Sequence, residues 1–198
     1  MRRVVTVYLF ALMTIMSLNV NAQRATSPEA EGAWMTATPL EVEVAILHIL
    51  TAEPAHHLRK DAGARMALSE EIVRICEEKE IPPLFALSII FRESSFDEKA
   101  VGLRGEFGLM QVAKGNVKRL QCDMTTTEGQ IDCGTRMLQE AYGVCHTWGG
   151  ALTRYATTTG VCKHDNVQVQ NKVKLRLKDW QKFSAVVNRE LYDPGNED

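Results

Sequence analysis

One carboxylate, Glu93, stands at the end of the most apolar stretch of the chain, Leu84 to Phe91, within the run Arg92-Glu93-Ser94-Ser95. A helix that is apolar nearly all round belongs in a core. Both the loss of water there and the negative end of the helix oppose a charge on a carboxyl at its C-terminus. A glycosidase uses a carboxyl kept in its acid form to protonate a leaving oxygen. Arg92 is the nearby cation, but adjacent helical residues point in different directions. A second carboxylate, Glu106, lies in a loop with Gly102, Gly105 and Gly108, where a charged side chain is read as solvated. His56-His57 reads as a solvated loop pair, and the zinc-protease pattern His-Glu-x-x-His is absent. Cys145-His146 and Cys162-x-His164 do not have standard zinc spacing. No metal site and no cofactor are expected.

These groups need a scaffold, and the periodicity supplies helices. Pro39–Leu50 places Val42, Ala45, Ile46 and Ile49 on one face, and Glu53-Pro54 ends it. Ala64–Glu80 places Ile72, Val73, Ile75 and Cys76 at helical spacing. Ile81-Pro82-Pro83 then stops one helix and opens the next, because proline is accepted in a first turn. Two further helices are expected over Ile131–Tyr142 and Gly150–Thr157. The tail is left open: Val173-Lys174-Leu175-Arg176-Leu177 alternates like a strand, whereas Trp180–Val187 looks helical. No stretch has the sustained alternation of a large sheet, so the fold class is all-α. The divisions expected are a signal peptide over 1–22, an arm with a short helix over 23–62, a catalytic domain over 63–165 and a tail over 166–198.

The signal peptide rests on Arg2-Arg3, the apolar run Val4–Leu18, and small residues at Val20 and Ala22. The run is shorter than the roughly 20 residues that span a bilayer. Export to the periplasm or outside is therefore expected. Loss of Arg2 and Arg3 takes the formal charge from −2 to −4, which argues against nucleic-acid binding. An oxidising destination favours disulfides among Cys76, Cys122, Cys133, Cys145 and Cys162. Five is odd, and Cys76, on an apolar helical face, is expected to stay free. The other four allow three pairings. Cys145–Cys162 is preferred because these residues bracket one short helix, which leaves Cys122–Cys133.

Glu93-Ser94-x-Phe96, then Ala100, then Gly105-x-x-Gly108-Leu109-Met110-Gln111 resembles the lysozyme-like SLT domain of the soluble lytic transglycosylases. The likeness includes the helix pair Ser69–Phe91 with its proline joint. It continues through Cys133-Gly134-x-x-x-Leu138, Gly149-Gly150-Ala151-Leu152 and Tyr155, covering about Ala64 to Cys162. It implies that Glu93 is the sole acid/base, that Gly108, Leu109, Met110 and Gln111 wall a sugar groove, and that Tyr155 places its hydroxyl near Glu93. Two positions depart from the family pattern. Gly102 stands where many relatives have Ser, and Ala156 stands where an Asn is usual.

The expected activity is cleavage of peptidoglycan between N-acetylmuramic acid and N-acetylglucosamine, with 1,6-anhydro ends. Goose-type lysozyme hydrolysis is the alternative; it needs a water-positioning group, for which Asp97 and Glu106 are the nearby candidates. A non-catalytic glycan-binding or envelope-assembly protein is a third reading. The partners to expect are peptidoglycan glycan strands, with an envelope-spanning secretion or conjugation machine as a further candidate. A monomer is expected.

Overall fold

The computed structural model describes residues 36–52, 56, 58, 60–157 and 160–192. The expected signal peptide over 1–22, the first part of the arm (residues 23–35), His57 and Thr158-Thr159 lie outside the described residues. Among the described residues there are seven helices and no strand, so the fold is all-α. They are α1 (Pro39–Thr51), α2 (Ala62–Glu78), α3 (Pro83–Ser94), α4 (Lys114–Leu120), α5 (Thr127–Cys145), α6 (Trp148–Ala156) and α7 (Val167–Tyr192).

Local chemistry sets the helix ends. Thr38 opens α1 through a capping box with Glu41. Asp61 caps α2 by accepting from the Ala64 amide. Pro82 and Pro83 open α3, where a missing N–H does no harm. Thr126 and Thr147 cap α5 and α6 with their hydroxyls.

α3 is the central helix. Every residue from Pro83 to Ile90 is buried, against α2, α7 and α1. Phe85 meets both Trp148 of α6 and Trp180 of α7, with ring centroids 4.8 and 5.0 Å apart. The hydrophobic core runs beyond residues 63–165, because Val42 and Ile46 of α1 and Val173, Phe183 and Val187 of α7 belong to it.

The tail, open on sequence, is one continuous helix. The alternation of Val173, Leu175 and Leu177 is incidental to it. Val173, Arg176, Asp179, Phe183 and Val187 face inward, while Leu175 is 45% exposed. That is a spacing of three and four, which only a helix presents on one side.

Disulfides join Cys122 to Cys133 and Cys145 to Cys162, and Cys76 is free and buried. Cys145 and Cys162 are therefore not metal ligands. Burial pushes the Cys76 thiol well above its ordinary range, so it behaves as a small apolar residue. No helix among the described residues is long and apolar enough to cross a membrane.

Candidate active site

Glu93 lies one residue before the end of α3, where the chain turns sharply. Ser95 and Phe96 both adopt positive φ, at 49° and 67°. Two successive non-glycine residues in this region carry strain and need support from their surroundings. Phe96 supplies part of it by burial against His56 and Phe91. His56 supplies more. Its Nδ1 accepts from the Leu58 amide, so Nε2 carries the hydrogen and donates to the Ser95 carbonyl. The sequence reading of His56 as a solvated loop residue is thus corrected: it holds the turn behind Glu93. A His-His pair in a polar stretch gives no signal for such a role.

The Glu93 side chain is 20% exposed, and its counter-charge is not the neighbouring Arg92. The Arg176 guanidinium, from the inner face of α7, donates to Glu93 Oε1. Arg92 turns the other way and holds both oxygens of Asp179, with Nη2 2.9 Å from Oδ1. Two ion pairs therefore tie the end of α3 to α7, side by side.

Tyr155 of α6 reaches the same region. Its hydroxyl donates to the Met110 carbonyl at 2.6 Å, so the bond does not depend on the amide absent at Ala156. Loss of water pushes the phenol well above its usual range. The Glu93 charge adds to that rise, and the Arg176 charge opposes it. Tyr155, Glu93 and Arg176 thus lie within one electrostatic neighbourhood.

Within the Gly-Leu-Met-Gln segment the structure separates buried members from one that is partly exposed. Gly108, Leu109 and Met110 are buried, and the side chains of Leu109 and Met110 have no exposed surface. Neither can offer an apolar wall to a glycan. Met110 fills a space that Gly134 of α5 leaves open: a Cβ on Gly134 would lie 2.3 Å from its Sδ. Gln111, at φ 49°, is the partly exposed member. Its amide nitrogen donates to Ala100 and Gly108 carbonyls, both at 3.0 Å, which leaves Oε1 available. Gln130 is the anchor that sequence reasoning missed. Buried on α5, it accepts from the Leu109 amide at 2.8 Å and donates to the carbonyls of Glu98 and Met124.

At Gly102 the absent side chain has consequences. A Cβ there would lie 2.6 Å from Glu106 Oε2 and 2.7 Å from Gln111 Oε1, so two oxygens occupy the space a serine would use. Glu106 also accepts from the Arg104 amide and guanidinium. Backbone donors and Arg104 hold its carboxyl below the usual range, so it is ionised near neutral pH. Asp97 is exposed and accepts from the Lys99 amide. Both carboxylates are engaged within their own loops.

The family model that matches the chain is described as the transglycosylase SLT domain, and it covers residues 72–177, slightly more than half of the sequence. No curated protein matches the chain.

Proposed function

Given that the chain belongs to the transglycosylase SLT domain family, we propose that it is a peptidoglycan lytic transglycosylase with Glu93 as its acid and base. The observation that carries this reading is the setting of Glu93: a largely buried carboxyl at the end of the central helix, paired with the Arg176 guanidinium.

The chemistry follows from one carboxyl acting twice. Glu93 gives its proton to the glycosidic oxygen as the bond from C1 breaks, and the bonding electron pair leaves with that oxygen. The 2-acetamido group of N-acetylmuramic acid stabilises the positive C1. The sugar's own 6-hydroxyl then attacks C1, and Glu93 takes the hydroxyl proton. One C–O bond breaks and one forms, no water is consumed, and the product carries a 1,6-anhydro ring. Gln111 Oε1 faces the Gly-rich loop as an acceptor for substrate N–H or O–H groups.

Hydrolysis is the weaker reading. It ordinarily needs a second carboxyl, either as nucleophile or to hold water across the sugar face. Of the candidates, Asp97 is exposed and accepts from the Lys99 backbone amide through Oδ1, and Glu106 is held by the Arg104 amide and guanidinium. The family relation and the two disulfides fit work on the cell wall after export. An envelope-spanning secretion or conjugation machine is a candidate partner, and a monomer is the expected state.

The test is digestion of purified sacculi followed by mass spectrometry before and after borohydride treatment. Muropeptides one water lighter than hydrolytic products, and resistant to reduction, are expected. Products that gain two hydrogens would make the protein a hydrolase. Glu93→Gln should retain less than about a hundredth of wild-type activity, the low end of a general acid's contribution.

A further inference from the structure

Arg176 is 6% exposed, and each nitrogen of its guanidinium has a definite fate. Nη1 donates to the Lys172 carbonyl one turn back on α7, at 3.0 Å. Nη2 donates to Glu93 Oε1. Nε is buried without a hydrogen-bond partner. A buried donor left unmatched is unfavourable, and a buried ion pair is a weak source of stability. Docking α7 onto α3 does not require it either. Arg92 and Asp179 already join the two helices in a forked pair with both carboxylate oxygens engaged. Stability alone therefore gives no reason for a second cation at this depth.

We propose that Arg176 is a positioning residue for Glu93, selecting Oε2 as the oxygen that exchanges protons with the substrate. The inference rests on the reading of Glu93 as the acid and base. With a guanidinium donor on Oε1, a proton on that oxygen would face another N–H. The carboxyl therefore carries its proton on Oε2. The guanidinium also attracts the carboxylate more strongly than the neutral acid. Its pull grows as the proton moves to the glycosidic oxygen, so it acts on the transition state more than on the bound substrate. Glu93 keeps the same orientation when it takes back the proton from the 6-hydroxyl. Arg176 need touch no sugar to do this, which separates its effect from substrate affinity.

The experiment compares Arg176→Met, Arg176→Lys, Asp179→Asn and Glu93→Gln by steady-state kinetics on soluble, uncross-linked glycan strands, with a thermal melt for each. Arg176→Met should lower kcat about a hundredfold, the usual consequence of a displaced catalytic group, with KM within about threefold because binding is untouched. Arg176→Lys, which keeps the charge but not the planar fork, should recover part of the loss. Asp179→Asn should lower the melting temperature and leave kcat unchanged. The inference is overturned if Arg176→Met keeps wild-type kcat, if its effect falls on KM alone, or if kcat follows melting temperature equally in both α7 variants. Should Arg176→Met not fold, Arg176→Lys decides, and wild-type kcat there also overturns it. An active Glu93→Gln would remove the acid and the inference together. An inactive Glu93→Gln beside an unimpaired Arg176→Met would remove only the inference.

Discussion

Gly108 adopts φ +79°, and a Cβ there would lie 2.4 Å from Gln130 Oε1. Replacing it with Ala sets the left-handed backbone strain beside displacement of the Gln130–Leu109 hydrogen bond. Gly108→Ala should therefore lower unfolding stability by about 2–4 kcal/mol, measured by urea denaturation. A loss below about 1 kcal/mol would mean that Gln130 moves aside freely. The glycine was legible as part of a motif, but its partner was not. A lone Gln on an amphipathic helix carries no sign that it holds a loop 21 residues away. Met110 shows the opposite limit. Its type suits a sugar-facing surface or a core equally well, and the gap left by Gly134 decides for the core. Glu93 stands out as a candidate only when the apolar run before it is taken together with the Glu-Ser and Gly-Leu-Met-Gln motifs. Arg176 does not stand out, because a single Arg among Lys172, Lys174 and Lys178 looks like any other member of a charged face.

At the scale of elements, α1, α2, α5 and α6 were readable from apolar spacing, and α3 from its nearly unbroken apolar run. Proline at the joint between α2 and α3 left little choice. α7 was ambiguous because Val173, Leu175 and Leu177 satisfy a strand pattern over five residues, too short a window to separate the two periods. Its direction in the core provides a clean test. Phe183 is 2% exposed and packs on Phe91 with ring centroids 6.2 Å apart. Phe183→Ala should cost about 3–5 kcal/mol, whereas Leu175→Ala should stay within about 0.5 kcal/mol of wild type. A strand would instead have put Leu175 on the same side as Val173, so a large loss at Leu175 would contradict the helix. Chemical denaturation of both variants reads the difference directly.

For the whole molecule, cysteine parity and the apolar face of Cys76 point to it as the free thiol, and the short helix between Cys145 and Cys162 points to the observed pairing. The Cys145–Cys162 bridge closes a segment that contains all of α6, including Tyr155. Replacing both cysteines with Ser should cost about 3 kcal/mol, the chain-entropy value for a loop of this length. Activity should fall as well, because Tyr155 loses its tether. Denaturation and sacculus clearing, measured together, check both outcomes, and unchanged stability would show that α6 needs no staple. The two ion pairs between α3 and α7 act over a longer range, since their partners stand 83 and 87 positions apart in the chain. A chain is made from its N-terminus at about 5–20 residues per second, so Glu93 exists for on the order of ten seconds before Arg176 is even joined to it. The carboxyl and its counter-charge are thus separated in time at every synthesis. Any chain that stops short of α7 therefore presents the Glu93 carboxyl without the guanidinium that pairs with it.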